Sequence, residues 1–362
     1  AKTVKGKGNK KAEASATGAH GFPLKTAKDL PDFLSEIYAG APVPSEFLGW
    51  YETVQEREDK MIADSAAKVA ATVLPTAPGA HLLKLHPSEK IQIGVARAMV
   101  EARMRGRPVI SVSSDLQGST GVADFHKVFP EAAIDIGIAE SNMISTAAGL
   151  SLSGFIPFVD TFAQFGVTKG ALPITMANLS LAPVIGVFSH TGFQDAADGA
   201  SHQALSFLAQ VSSIPHVELY SLPPSSEAED LINEAIESFA ETRARGEVPP
   251  TRLFFLGREN FPRRLTKDGA KHTLKAWSEL LDTTAGKTKS VTLVAAGSLV
   301  PEALKAADML ADKGIGAIVM HASSVNHPDM ASLKKALAKT GGAIVTVEDH
   351  RVVGGMGAMI AH

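Results

Sequence analysis

Short apolar segments and helical stretches alternate along most of the chain. Between residues 108 and 256 the apolar segments hold few polar residues, which is typical of strands that helices cover on both faces. The pattern predicts a doubly wound parallel sheet. The predicted strands are Pro108–Ser113, Ala133–Asp135, Ile156–Val159, Pro183–Ser189, Val217–Leu222 and Arg252–Leu256, and the predicted helices are 88–104, with Ser88 as its N-cap, 140–152, 162–178, 204–213 and 226–245.

A second, smaller α/β unit follows a polar stretch over residues 261–289. Its three apolar strands, separated by two helical stretches, form two successive βαβ crossovers. A third helix begins near Gly354 and the sequence stops soon afterwards, which is short for a helix that covers a sheet, so we expect the natural polypeptide to continue. The predicted strands are Val291–Ala296, Ala317–His321 and Ala343–Glu348, and the predicted helices are 301–313 and 330–340.

The N-terminal part follows a different pattern. A helix over 32–38 and a long polar helix over 45–73 precede a break that contains Pro and Gly at 74–79, where we predict a domain boundary. The fold class is therefore α/β, a parallel-sheet domain with a second, smaller α/β domain. The predicted domains are residues 1–79, 80–265 and 286–362.

Composition narrows the class of protein. The 35 Lys and Arg residues nearly balance 38 Asp and Glu residues, which argues against a nucleic-acid partner or a membrane surface. The absence of cysteine excludes disulfides, thiolate metal sites and a cysteine nucleophile. The longest apolar stretch, around 179–188, is about half of the ~20 residues that a membrane-spanning helix needs. We therefore expect a cytoplasmic protein.

Polar clusters follow three of the predicted strands, at the strand ends where open parallel sheets bind their ligands. Asp115 and Ser119 follow the first strand, although this cluster by itself favours a simple Asx or Ser/Thr turn. Glu140 begins an apolar helix, where the helix dipole alone would favour a carboxylate. His190, His202 and the intervening Asp198 lie on one loop, and two histidines with an acid at a strand end favour proton transfer.

Taken together and in order, these clusters resemble transketolase, a thiamine diphosphate enzyme that moves a two-carbon ketol unit between sugar phosphates. The resemblance covers nearly the whole chain. Even the basic N-terminus, with His20-Gly21-Phe22-Pro23-Leu24, resembles the end of the family's diphosphate-binding domain. The motifs that carry the resemblance are Asp115-Leu116-x-x-Ser119, Gly137-Ile138-Ala139-Glu140-x-Asn142-Met143, Thr161-Phe162-Ala163-x-Phe165, Asp198-Gly199-x-Ser201-His202-Gln203, Val347-Glu348-Asp349-His350 and Gly354-Gly355-x-Gly357.

The resemblance implies a role for each of these residues. Glu140 matches the carboxylate that hydrogen-bonds to the aminopyrimidine ring of thiamine diphosphate. Phe162 and Phe165 match the aromatic pocket around that ring, and Asp115 is a further cofactor contact. The other implied roles are proton transfer for His202 and His20, contact with sugar hydroxyls for His190 and Asp198, and phosphate contact for Ser119 and Arg258.

Some positions depart from the family pattern. The third aromatic residue, expected one turn after Phe165, is Thr168, and the acid expected before Asp198 is Ala197. The Arg expected to grip the sugar phosphate near residues 88–92 has no counterpart except Lys90. No Gly-Asp-Gly motif occurs, so ligands for Mg²⁺ and the cofactor's diphosphate are expected on a missing diphosphate-binding domain.

The missing domain shapes the expected assembly. We expect either a cut polypeptide, which the start at Ala1 and the end at His362 favour, or a split gene whose partner chain supplies the missing half. The active protein is then a homodimer or a complex with that partner chain, acting on sugar phosphates, and this chain alone should not turn over. Alternatives are a deoxyxylulose-phosphate synthase-like enzyme, a ketoacid-dehydrogenase β subunit and a non-catalytic transketolase-like subunit that binds or regulates a partner. A nucleotide-binding Rossmann protein is disfavoured because Gly354-Gly355-x-Gly357 lacks the full G-x-G-x-x-G spacing.

Overall fold

A computed structural model describes residues 27–39, 41–71, 88–194, 198–222, 225–258, 260–262 and 271–362. The chain divides into two compact units, residues 1–76 and 77–362. In the first unit, helix α1 (Leu30–Ile37) and helix α2 (Ser45–Ala71) agree with the predicted helices to within two residues. The backbone N–H of Ala27, the first described residue, donates to Glu58 Oε2 at 2.6 Å, which ties the segment before α1 to α2.

The second unit is built on a six-stranded sheet with the strand order β3-β2-β4-β5-β7-β6. All neighbouring strands in this sheet are parallel, as the apolar runs predict. Helices lie on both faces and enclose two apolar cores, so the doubly wound α/β fold is confirmed. The strands are β2 (Val109–Ser113), β3 (Ala133–Asp135), β4 (Ile156–Phe162), β5 (Ile185–Ser189), β6 (Val217–Ser221) and β7 (Thr251–Phe255).

The helices of this domain follow the strands in the predicted order. At the start of the domain the prediction is wrong: Ser88 is not a helix N-cap. It begins strand β1 (Ser88–Lys90), which pairs antiparallel with β8 (Asn260–Pro262), and a partner so distant in sequence leaves no local signal. The helices are α3 (Gln92–Met104), α4 (Gln117–Thr120), α5 (Ala123–Val128), α6 (Glu140–Leu152), α7 (Ala163–Thr168), α8 (Ala171–Leu179), α9 (Phe207–Val211) and α10 (Ser225–Ala244).

The helix predicted over 162–178 is in fact two helices, α7 and α8. Phe162 keeps an extended backbone and is the last residue of β4. The chain breaks at Gly170, and Pro173 then falls in the first turn of α8, where its missing N–H costs no hydrogen bond. Phe162 and Phe165 therefore lie on a strand end and a helix, and not on one helical face.

The second unit contains two larger sheets besides the β1–β8 pair. We call the part built on the six-stranded sheet the first domain. The second domain carries a four-stranded sheet with the strand order β12-β10-β11-β9. Its three parallel strands are those predicted, but β9 is antiparallel and comes from the stretch that the sequence analysis treats as a polar connection. This short edge strand buries only the adjacent Leu280 and Leu281, so it shows no alternation. The elements are β9 (Ser278–Asp282), β10 (Ser290–Ala295), α11 (Val300–Asp312), β11 (Gly316–His321), α12 (Met330–Lys339), β12 (Ile344–Val347) and α13 (Met356–Ala361).

The two sheets are joined at the edge of the first. Beyond β11 the backbone runs beside β6, where Ser221 N donates to Ser323 O and Val325 N donates to Leu219 O, both at 2.8 Å. The side chain of Asn326 accepts from Leu219 N and donates to Val217 O. Within the described ranges no helix is both long and apolar enough to cross a membrane.

Candidate functional site

The candidate site lies at the carboxyl ends of β2, β3, β4, β5 and β7. The chain passes from β2 to β3 on one side and then crosses to β4 on the other, so the order of the strands reverses around β2. Open parallel sheets form their ligand crevice at such a reversal because the following loops diverge there. The sequence clusters that follow these strands are brought to this one edge.

Two histidines and two phenylalanines pack together at the ends of β4 and β5. The ring centroid of Phe162 lies 4.1 Å from that of His190 and 5.9 Å from that of His202. Phe165 meets His202 edge to face, with centroids 5.0 Å apart. We call these four residues the His–Phe cluster. The four rings form a largely apolar group that carries imidazole nitrogens.

His190 is held in a strained and buried position. Its backbone has φ of 63°, a left-handed conformation that few residues other than glycine adopt. Ser189 Oγ lies 2.8 Å from its Nδ1, which orients the ring. Burial, followed by the positive charge of Arg258, lowers the pKa of His190 to about 4. The imidazole is therefore neutral at pH 7.

The His190 pKa provides a direct test of this electrostatic arrangement. Replacing Arg258 with methionine removes the largest charge that disfavours the imidazolium, so the pKa of His190 should rise toward its ordinary value. Histidine ring resonances followed by NMR between pH 3 and pH 8 would measure the change. A pKa near 6.5 in the unsubstituted protein would contradict the buried position.

Charged side chains surround this cluster. Arg258 Nη1 lies 3.9 Å from Asp198 Oδ2, and each side chain is 35% exposed. The backbone N–H of Arg258 donates to Gln194 Oε1 at 2.9 Å. Lys90, on β1, is also close enough for its charge to lower the pKa of His190. The site therefore presents two cations and one acid around the neutral imidazole.

A second group of side chains gathers at the ends of β2 and β3. Asp115 has φ of 59°, and its backbone N–H donates to Asp135 Oδ1 at 3.2 Å. Ser114 Oγ donates to Gly137 O at 2.8 Å and accepts from Ala139 N, which ties the two turns together. This tie holds the turn that precedes Glu140, the first residue of α6. Glu140 is partly exposed.

Asp160 is a buried acid that the sequence analysis missed. It lies on β4 between the two groups and is fully buried. Its Oδ2 accepts from Ser113 Oγ at 2.8 Å and from Thr120 Oγ1 at 2.7 Å, and its Oδ1 has no partner among the described residues. Burial raises the pKa of Asp160 to about 7. The signal was available, since an aspartate in an apolar strand is rarely without a structural or chemical role.

Gln92 connects the two groups. Its amide nitrogen donates to Ser119 O at 3.2 Å and to Gly257 O at 3.4 Å, so the loops after β2 and β7 share one buried side chain. Ser119 and Arg258 are both predicted phosphate contacts. Gln92 holds Ser119 through its own carbonyl oxygen and Arg258 through that of the adjacent Gly257. Thr168, where a third aromatic residue was expected, is exposed, and its hydroxyl donates to Gln164 O.

The structure places the described site residues in two groups at neighbouring strand ends. His190, His202, Phe162, Phe165, Asp198 and Arg258 come together, while Asp115, Ser119 and Glu140 lie at the neighbouring strand ends. His20 lies outside the described residues. The His–Phe cluster offers ring faces and imidazole nitrogens, and Glu140 offers a partly exposed carboxylate at a neighbouring strand end. Within the described ranges, no group of three or more His, Cys, Asp or Glu side chains could hold a metal ion.

The fold and the strand-end site define a two-domain α/β protein with aromatic, acidic and histidine side chains gathered at the carboxyl ends of one parallel sheet. Comparison with known proteins identifies the family within this class. The sequence matches the profile of the transketolase pyrimidine-binding domain over residues 91–244 and that of the transketolase C-terminal domain over residues 284–362. The chain belongs to the transketolase family, as its motifs predict.

The relatives fall into two kinds. A putative transketolase C-terminal section from Methanocaldococcus jannaschii is 30% identical over 277 residues, which cover 74% of this chain and 79% of that protein. Human transketolase is 28% identical over 367 residues, and the match covers all of this chain but only 54% of the human protein. The chain thus spans about half the length of such full-length relatives.

A solved structure has the same fold. It is described as a split gene transketolase in an inactive beta4 tetramer, and it superposes with a TM-score of 0.62 at 28% identity. The superposition covers 76% of this chain and 85% of that chain. A 6-deoxy-6-sulfo-D-fructose transketolase subunit from a Clostridium species is 29% identical, over 73% of this chain and 77% of that subunit. Sections of this kind therefore occur as separate subunits among the relatives.

Proposed function

We propose that this chain is the pyrimidine-binding and C-terminal part of a transketolase, which transfers a two-carbon ketol unit between sugar phosphates with thiamine diphosphate as the cofactor. The observation that carries the proposal is the His–Phe cluster with Arg258 and Asp198 beside it. It combines an apolar wall for a ring, imidazoles for proton transfer and a cation for a phosphate.

The cofactor's pyrimidine ring would be held by three side chains and the Asp115 turn. Phe162 and Phe165 would supply the apolar contact, and Glu140 would accept or donate a hydrogen bond at the ring. Thiamine diphosphate, when bound, supplies the electron sink that the breaking of a carbon–carbon bond requires. Ligands for Mg²⁺ and for the diphosphate would come from the preceding half of the enzyme.

The substrate would be held by polar groups of the His–Phe cluster and its charged neighbours. His202 and His20 would move protons on and off the sugar oxygens. His190 is neutral at pH 7 because its pKa is about 4, so it would orient a sugar hydroxyl by hydrogen bonding. Asp198 would bind another hydroxyl. Ser119, Arg258 and Lys90 would contact the phosphate, with the Arg258 guanidinium best suited to a paired contact.

The active assembly would contain a diphosphate-binding half, either as part of a longer polypeptide in a homodimer or as a partner chain. The relatives fit both arrangements, since sections or subunits of transketolases match 72–74% of this chain and full-length transketolases match all of it. The balanced charge argues against a nucleic-acid partner or a membrane surface. We also propose a cytoplasmic location.

Donor choice tests this proposal against two of the alternatives, a deoxyxylulose-phosphate synthase-like enzyme and a non-catalytic subunit. The assembly of this chain with its diphosphate-binding half should transfer a two-carbon unit from xylulose 5-phosphate to ribose 5-phosphate, with activity only when thiamine diphosphate and Mg²⁺ are present. Activity with pyruvate but not with a ketose phosphate would instead identify a deoxyxylulose-phosphate synthase-like enzyme. Stable assembly with cofactor binding and no transfer from any ketose phosphate would identify a non-catalytic subunit.

A further inference from the structure

The Val347-Glu348-Asp349-His350 motif of the second domain takes no part in the site chemistry described above. The structure shows where its side chains go. Glu348 accepts hydrogen bonds from Met356 N at 2.6 Å and Gly357 N at 2.8 Å, so it caps α13 within its own domain. Asp349 and His350 instead reach the first domain.

Asp349 contacts the arm that leaves β5, residues 190–194. Both carboxylate oxygens lie within hydrogen-bond distance of Phe193 N, at 3.0 and 3.2 Å. At Gly192 the backbone has φ of 72°, and a Cβ there would lie 1.9 Å from Asp349 Oδ2. Only glycine allows this approach, so Gly192 and Asp349 form a matched pair across the domain boundary.

The next residues of the second domain contact the returning arm, residues 201–209. His350 Nε2 accepts from Leu208 N at 3.2 Å, and Arg351 N donates to Leu205 O at 2.9 Å. Gly354 packs closely on Ala209. The segment from 349 to 354 therefore touches both the outgoing and the returning arm.

The two arms carry the histidines of the site and are bonded to each other. Gly192 N donates to Ala204 O at 2.9 Å, two residues after His202. The outgoing arm carries His190, and its Gln194 accepts from the backbone of Arg258. A shift at Phe193 would thus be transmitted to the His–Phe cluster and to Arg258.

We propose that Asp349 is a positioning residue, which fixes the two arms so that His190 and His202 face the substrate. The role rests on the proposed function, because positioning matters only if these histidines act on a sugar phosphate. A carboxylate suits the task because its charge strengthens the bond to the Phe193 amide and its two oxygens fit around one N–H. The second domain then contributes to the site without touching the substrate.

Hydrogen exchange on the unassembled chain tests the contact without any need for activity. Asp349→Ala should increase amide exchange of residues 190–194 and 201–206 at least tenfold, and the pKa of His190 should move from about 4 toward its ordinary value as the arm loosens. Asn326→Ala is the matched control, because it also removes two bonds between a side chain of the second domain and the backbone of the first. It should leave both readings unchanged.

Kinetics of the assembled enzyme test the consequence. Asp349→Ala should lower kcat about 10- to 100-fold, as expected when reacting groups are misplaced by about an ångström, while Asn326→Ala keeps kcat. Should Asp349→Ala fail to fold, Asp349→Asn keeps the side-chain size and one acceptor, and it should show a smaller change in the same direction. Unchanged exchange in Asp349→Ala, or equal effects of the two alanine variants, would overturn the inference. Altered exchange in an assembly whose unsubstituted form transfers nothing would overturn the proposed function alone.

Discussion

The unsubstituted protein should lose stability as pH rises from 4 to 7, and replacing Asp160 with asparagine should remove this loss. The folded protein keeps the Asp160 proton up to about pH 7, whereas an unfolded aspartate releases it near pH 3.9. In this window the unfolded state therefore binds fewer protons, and the free energy of unfolding falls as pH rises. The shift corresponds to a loss of up to about 4 kcal/mol by pH 7 and above.

An asparagine side chain does not ionise, so its stability contribution does not fall as pH rises. Its carbonyl oxygen can accept hydrogen bonds from the Ser113 and Thr120 hydroxyls. Urea unfolding of both proteins at pH 4.5, 6, 7 and 8 would give the difference in the free energy of unfolding. Asp124→Asn is a suitable control, because Asp124 is exposed and its ion pair among the described residues is with Lys127, three residues along the same helix. Parallel pH profiles for the Asp160→Asn variant and the unsubstituted protein would refute a buried carboxylate of raised pKa.

Replacing Glu140 with glutamine should reduce two-carbon transfer by the assembled enzyme about 100- to 10,000-fold, the usual range for removal of a positioned acid or base. Glutamine preserves the size of the side chain and removes its ability to hold or release a proton at the cofactor ring. The turn before Glu140 is fixed by Ser114, so the helix start should be unaffected.

The matched control is Glu131→Gln, an exposed acid in the same domain whose only described ion pair is a long contact with Arg103. It should keep the full rate. Assembly and cofactor binding should persist in Glu140→Gln, since the aromatic wall is intact. A Glu140→Gln enzyme with more than a tenth of the original rate would exclude this residue from the proposed role.

The fold was largely predictable because strands buried on both faces leave an unmistakable apolar pattern. The parallel strands of both sheets follow that pattern closely, and the helices α2, α6 and α10 agree with their predicted bounds to within two residues. The helix predicted over 162–178 fails for a local reason, since the chain breaks at Gly170, but two other failures share one cause. At Ser88, and in the edge strand β9, pairing with a distant segment overrides or replaces the local signal, which a single sequence does not record.

The sequence predicted which strand ends would carry polar side chains, but it predicted neither the buried Asp160 nor the protonation state of His190. The order of the motifs and their positions at strand ends indicated His190, His202, Phe162 and Arg258 as candidate site residues. These four residues lie close together in the structure. The neutral state of His190 depends on burial and on the charge of Arg258, which act only in the folded chain. Likewise, the contact of Asp349 with Phe193 joins residues 156 positions apart.

Reconstitution tests the central claim, that this chain is one half of a transketolase active site. The chain would be mixed with its separately prepared diphosphate-binding half at a fixed total concentration and varied ratio, with thiamine diphosphate and Mg²⁺, and two-carbon transfer would be recorded. We predict no transfer by either half alone and a maximum at equal amounts. Full activity of the diphosphate-binding half without this chain, or no transfer at any ratio despite stable assembly, would contradict the account.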